Sequence, residues 1–356
     1  MSKTDNRTGF RAGLREAASP RMVALIAGVL LLQLGFVLSY VGAFHHPTPH
    51  KVTLAVVAPK KAAPQVVEKL NAISGRPLKA EAVADEATAR ERLRTGDTSG
   101  ALIVNPASRT DTLLVSGAGG ASTATALETV LTRAEATQHR TLSVVDAVPA
   151  QSGDARGLTS FYLVVGWTVG GYLLASLLGV AKGPRPASVA EAGLRLVTAV
   201  PYAAASGLGG ALIVGPVLGA LNDHLLALWA VGTLVVFGAA AVTMAFQALL
   251  GVLGIGLTVL LFVVLGNPSA GGAYAPEMLP PFWRAISPAL PNGAATHAIR
   301  HIVYFSGNGI AGNLVVLSAY AVVGTLVTLL VAARIQRRAP LPAAEPAGAT
   351  PAAAAG

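Results

Sequence analysis

Between Leu225 and Gly266 run 42 consecutive residues without one Asp, Glu, Lys, Arg or His. As a single α-helix they would reach roughly 63 Å at about 1.5 Å per residue, twice the thickness of a bilayer's hydrocarbon. The run must therefore fold back on itself, and the turn is expected between Gln247 and Gly251. Other apolar stretches are long enough to span once. They are Met22–Phe44, Phe161–Ala181, Leu194–Leu221, which carries Pro201 and Pro216 and should kink, and Asn313–Ala333. With the folded run counted twice, the chain is predicted to be an α-helical polytopic membrane protein with six transmembrane helices.

Charge supports this reading. Only 12% of residues are charged, about half the share of an average soluble domain, and the charges avoid the apolar runs. Apart from Arg195 at the edge of the third span, the spans contain no Asp, Glu, Lys, Arg or His. That disfavours an ion-coupled pump, which needs such groups inside the bilayer. The net charge of +9 reads as a topology signal rather than a nucleic-acid footprint. Lys3, Arg7, Arg11, Arg15 and Arg21, then Lys182, Arg185 and Arg195, then Arg334, Arg337 and Arg338 fall on one side of six spans. That side should be the cytoplasm. The first span is expected to stay as an uncleaved anchor, being long for a signal peptide. The predicted location is thus the plasma membrane, multi-pass, with both termini cytoplasmic and residues 45–160 outside.

Residues 45–160 carry 13 Lys/Arg against 11 Asp/Glu and suffice for one small domain. Val52–Ala58, Leu78–Ala84, Leu102–Val104 and Thr112–Val115 read as strands. Pro64–Ser74, Asp85–Thr95 (closed by Gly96) and a longer stretch, Ala121–Val145, read as helices. The order predicts a small α/β extracytoplasmic domain between the first and second spans. The rest divides into a cytoplasmic segment 1–21, a first helix 22–44, a five-helix domain 161–333 and a disordered tail 334–356. Within the first, Thr8–Ala18 alternates Phe10, Leu14 and Ala17 with Arg7, Arg11 and Arg15, a pattern suited to a helix lying on anionic headgroups.

No catalytic motif is present. There is no P-loop, no G-x-S-x-G, no H-E-x-x-H and no cysteine, so neither enzyme activity nor a cofactor is expected. His45, His46 and His50 lie on a Pro-rich linker, and His297 and His301 share a helix face without an evident third ligand, so no metal site is assigned. Pro184 and Pro186 interrupt any helix there, and Ser188-x-x-Glu191 has the spacing of a capping box opening the third span. Gly166-x-x-x-Gly170, Gly215-x-x-x-Gly219 and Gly251, Gly254 and Gly256 offer small residues for close helix packing.

The most distinctive segment lies at about 267–311, between the fifth and sixth spans. It reads Asn267-Pro268-Ser269-Ala270-Gly271-Gly272, then a Pro-rich stretch through Pro280, then Leu290-Pro291-Asn292-Gly293 and Ala298-Ile299-Arg300. Together with Asp85-Glu86-Ala87 and Ala101-Leu102-Ile103-Val104, and with one span, a domain and five further spans, it resembles the membrane subunits of type 2 ABC transporters. The nearer likeness is to the phage-infection-protein (Pip-like) branch. The resemblance implies a homodimeric permease moving hydrophobic or amphipathic compounds with energy from a separate cytoplasmic ATPase. Asn267, Pro268, Ser269, Gly271, Gly272, Pro280, Pro291 and Arg300 would form an outer re-entrant hairpin. Phe10, Arg11 and Leu14, with Arg185, Ser188 and Glu191, would meet the ATPase. The alternative expectation is a non-transporting surface protein, a receptor or envelope scaffold presenting residues 45–160. Neither reading involves nucleic acid; the bilayer is the partner common to both.

Overall fold

A computed structural model describes residues 19–338; the segment containing Phe10, Arg11 and Leu14 and most of the expected tail lie outside the described residues. The chain is mostly helical, with a small mixed sheet domain. Among the described residues five helices are long and apolar enough to cross a membrane: Met22–Phe44, Thr159–Lys182, Val189–Val217, Leu225–Leu250 and Ala311–Arg338. The architecture is that of a polytopic membrane protein.

Helix α1 (Pro20–Phe44) starts where Ser19 accepts a bond from the Met22 N–H, with Pro20 in the first turn, where its missing N–H costs nothing. Most of its apolar side chains are exposed. The sheet domain follows: β1 (Val52–Val57), α2 (Ala63–Asn71), β2 (Leu78–Ala82), α3 (Glu86–Thr95), β3 (Gly100–Ile103), β4 (Thr110–Val115), α4 (Ala121–Ala136) and β5 (Thr141–Asp146). The strand order is β2-β1-β3-β4-β5, parallel except for the antiparallel β3–β4 pair. Alternation sends Val52, Leu54 and Val56 to one face, under Leu70 of α2 and Leu127 and Leu131 of α4. Ala55, Ala101 and Leu114 go to the other, under Ala89 and Leu93 of α3.

One element departs from expectation. Ala121–Val145 is not a single helix: α4 ends at Ala136, His139 turns the chain with a φ of +55°, and Thr141–Asp146 pairs in parallel with β4 from Thr110↔Thr141 to Val115↔Asp146. The β-branched run Thr141, Val144 and Val145 suits a strand, and the otherwise open edge of β4 gives it a ladder. Arg140 fixes the turn by donating to Asp111 and to the Asn105 carbonyl, with Glu135 3.6 Å away. Asp111 and Glu135 are both buried. Burial, and then repulsion from Asp111, push the Glu135 carboxyl up to about 7. An acid with a folded-state pKa above its unfolded value of 4.5 binds its proton more tightly when folded, so stability falls as pH rises from about 4.5 through 7. Glu135→Gln should raise the thermal midpoint at pH 8 by a few degrees and flatten its dependence between pH 5.5 and 8, as read by thermal melts of the full chain.

The bundle comprises α5 (Thr159–Lys182), α6 (Val189–Leu212, continued by a π-wound turn Ile213–Val217), α7 (Leu225–Leu250), α8 (Leu253–Ser269), α9 (Pro281–Ile286), α10 (Pro291–Tyr304) and α11 (Ala311–Arg338). The 42-residue run folds back at Gly251, whose φ is +65°. Gly254 then lies against Phe246, and Phe262 against Ala239 and Val242. α8 thus returns antiparallel to α7. At about 25 Å it is shorter than a full span, so the expected six long spans are five plus this shorter helix.

Helix α7 sits at the centre, against α5, α6, α8, α10 and α11. Lipid tails are as apolar as leucine, so helices associate here by close packing of small residues. On α5 these are Gly171, Ala175 and Gly179, and on α6 Ala199, Ala203, Gly207 and Ala211, all buried at a spacing of four. The indole of Trp167 fills a slot floored by Gly210 of α6 and Gly232 of α7 and donates to the Ser206 carbonyl at 3.1 Å. The expected pairs are not the contact points. Nothing lies within 4 Å of a Cβ placed on Gly166, Gly170 faces only the side chains of Tyr202 and Ser206, and Gly215 faces the Leu221 carbonyl just beyond its own turn.

Candidate functional site

Two clusters of sequence-nominated residues lie at opposite ends of the bundle. At the sheet-domain end, Asn267, Pro268 and Ser269 form the last turn of α8 rather than opening a hairpin. Pro268 has no N–H to return to Val264, and the orphaned Val264 carbonyl is met by the Ser39 hydroxyl of α1. The helix is π-wound over Leu260–Gly266, a winding common at functional sites. The Phe262 carbonyl there accepts from Asn292 of α10 at 3.1 Å, while the same amide donates to Asn267 at 2.8 Å. The proline thus ties α8 to α1 through Val264, and the π-wound stretch ties it to α10 through Phe262.

Beyond Ser269 the chain turns at Gly271, with φ +74°, a conformation that favours glycine. At Gly272 a Cβ would stand 2.5 Å from the Phe161 ring, so the second glycine lets this loop lie against the start of α5. Pro280 precedes α9 in an extended conformation, and Pro291 opens α10. The segment then sinks into the bundle: Ala294, Ala295, Ile299, Ile302 and Val303 of α10 join the core with Val164, Trp167 and Val235.

Arg300 is buried within this core. Its guanidinium donates to the carbonyls of Gly157 (3.1 Å) and Gly271 (3.2 Å), clamping the return from the sheet domain to the glycine turn. Beside it, Asp154 accepts from the Thr159 N–H (2.9 Å), the Thr159 hydroxyl (2.7 Å) and the Tyr304 hydroxyl (2.8 Å). Asp154 and Tyr304 were not nominated from sequence. They are 150 positions apart; the only local signal was an acidic residue just before an apolar helix, a favourable place for negative charge. His297 and His301 stack with ring centroids 3.9 Å apart. Among the described residues no group of three His, Cys, Asp or Glu is placed to hold a metal ion.

At the other end, Ser188 caps α6: its hydroxyl accepts from the Glu191 N–H at 3.1 Å, and Glu191 accepts from the Ala187 N–H at 2.8 Å. Arg195, buried, donates to the carbonyl of Gly183 at 2.9 Å and of Lys182 at 3.3 Å, and pairs with Glu191. Arg185 donates to the Leu249 carbonyl at the end of α7, and the Val189 N–H to Gln336 of α11. The end of α5, the start of α6 and the ends of α7 and α11 thus share one face. The nominated side chains Arg185, Ser188 and Glu191 are spent on this internal knot. Ser188→Ala removes the cap and should cost about 1 kcal/mol, seen as a lower thermal midpoint with unchanged helix content in circular dichroism.

No family model, no curated protein and no solved structure matches this chain.

Proposed function

We propose that this chain is the membrane-spanning permease subunit of an ABC-type exporter, working as a homodimer with a separate cytoplasmic ATPase and moving hydrophobic or amphipathic compounds. In this reading α8 with its following turn completes a sixth crossing. The loop at 183–188 then faces the cytoplasm, and the sheet domain and the 270–310 segment face outside, as the positive-inside pattern requires. The chain contains no P-loop of its own, so the energy comes from the partner.

The observation that carries the proposal is mechanical continuity. α5 and α6 meet at one end in the Arg195 knot. At the other, α5 starts from Thr159 on Asp154, and beyond α6 the Asn222 N–H donates to the Gln151 side-chain oxygen on the sheet-domain return at 2.8 Å. A push on the 183–188 loop therefore reaches the sheet domain along α5 and α6 together. That is what an ATPase working on one face of a bilayer needs in order to open a path on the other.

The test is purification from the native membrane in mild detergent, followed by reconstitution. An ATPase subunit should accompany the protein, and export of an amphipathic dye should require ATP. If no ATPase accompanies it and transport persists without nucleotide, the proposal fails. If no transport occurs even when the accompanying ATPase turns over, the surface-protein reading replaces it.

A further inference from the structure

The described residues enclose one large groove, about 1510 Å³, beyond the 300–1,000 Å³ usual for a small-molecule site. Its walls come from four places in the chain: the linker after α1, the α2/α4 face of the sheet domain, the segment from Gly272 to Arg284, and Arg156 with Leu158 on the return before α5. Backbone bonds join the first to the third, from the Thr48 N–H to the Met278 carbonyl (3.1 Å) and from the His50 N–H to the Glu277 carbonyl (2.9 Å). The floor is apolar, made by Leu70, Ile73, Val130, Met278 and Leu279. The charged lining is almost all of one sign: Lys69, Arg133, Arg156 and Arg284, with His50, against the single acid Glu135. Glu135 is already engaged by Arg140 and Asp111. Arg133 and Arg156 are exposed and have no partner among the described residues.

The groove also begins at the end of a helix long and apolar enough to cross a membrane. Its linker wall follows directly on α1, whose last aromatic, Phe44, packs on Tyr274 of the groove at 5.8 Å. Exposed Phe282 stacks edge-on against Trp283 at 5.0 Å beside it, and aromatic residues of this kind sit at headgroup level. An apolar floor opening at that depth, under a cationic rim, is complementary to a molecule with hydrocarbon at one end and negative charge at the other.

We propose that this groove binds one anionic membrane lipid drawn from the adjoining leaflet, its acyl chains on the apolar floor and its headgroup held by the basic rim. The inference deepens the permease reading by naming a substrate class for its outer site, and it rests on that reading for the lipid's role as cargo. Binding itself requires neither nucleotide nor partner, so the two can fail separately.

Native mass spectrometry of the full chain, titrated with palmitoyl-oleoyl phosphatidylglycerol or the corresponding phosphatidylcholine, tests it. One phosphatidylglycerol should be retained in preference to phosphatidylcholine. The double variant Arg133→Gln/Arg156→Gln should lower that preference roughly ten- to thirty-fold, as expected for two guanidiniums near an anionic headgroup. Thr129→Trp, an exposed lining position of α4, should narrow the groove and weaken retention of both lipids while leaving the thermal midpoint within a few degrees. Equal retention of both lipids, a preference untouched by the double variant, or full retention by Thr129→Trp would overturn the proposal. So would displacement of the lipid by soluble poly-glutamate at equal concentration, which would identify an acidic peptide as the occupant.

Discussion

Arg300→Met should lower the thermal midpoint of the detergent-solubilised protein by on the order of 10 °C. Among the described residues the guanidinium is the only donor to the buried carbonyls of Gly157 and Gly271, and an orphaned buried polar group costs about 1–3 kcal/mol. Its charge also balances Asp154 and Glu277, the carboxylates whose fields reach it. Methionine fills similar space but offers neither donor nor charge. Removing the buried charge recovers some desolvation cost, yet it strands two carbonyls and leaves Asp154 without a countercharge. The expected net loss is about 3 kcal/mol, and at roughly 2–4 °C per kcal/mol for a domain of this size the shift is large. Arg300→Lys should recover only part, because an ammonium is a point charge without the planar fork that serves two acceptors. Hydrogen exchange localises the effect: in Arg300→Met, amides near 154–159 and 270–278 should lose protection together, whereas α2 and α3 should not change. Unchanged protection at both places would mean the two carbonyls are not held by this side chain.

The second large effect concerns α5. A Cβ on Gly171 would press on the Val236 carbonyl and stand 2.9 Å from the Ala239 Cβ, so the added carbon meets the α7 backbone and nothing soft can yield. Gly171→Leu should cost about 3 kcal/mol or more by driving α5 from α7, and the solubilised protein should aggregate or lose its sharp melting transition. Gly166→Leu, five residues earlier on the same helix, meets nothing within 4 Å. It should be neutral within about 0.5 kcal/mol or slightly stabilising, because leucine is the better helix former. Paired melts of the two variants decide the matter, and equal losses would place the helix contact elsewhere.

Those two glycines also show what could be read from the chain and what could not. The helices along the bundle were legible because hydrocarbon forbids unpaired charge, so charge-free runs mark them and the Gly251 turn divides the longest. Which face of each helix is buried was not legible, since in helices made of Ala, Gly, Val and Leu every face is apolar. Gly166 and Gly170 match the spacing rule as well as Gly171 and Gly179, and only packing tells them apart. The sheet domain was largely readable from alternation. β5 was missed because Ala121–Ala136 is a good helix and no Gly or Pro separates it from Thr141; the break lies in one left-handed residue, His139.

At the Asn267–Arg300 segment, composition marked the place but not the bonds. Pro268 orphans a carbonyl whose donor, Ser39, lies 225 positions away. Arg300 and Asp154 belong to one knot that no local pattern contains. The reduced length of α8 was equally hidden, because hydropathy runs unbroken to Gly266.

In the proposed topology the sheet domain and the 270–310 segment lie on one side of the bilayer and the 183–188 loop on the other. The native sequence has no cysteine, so single substitutions report without background. Ser152→Cys, Ala285→Cys and Ala187→Cys are all at exposed positions and can be treated in intact cells with a membrane-impermeant maleimide. Ser152→Cys and Ala285→Cys should be labelled from outside, and Ala187→Cys only after permeabilisation. Labelling of Ala187→Cys in intact cells, or opposite behaviour of Ser152→Cys and Ala285→Cys, would contradict that topology.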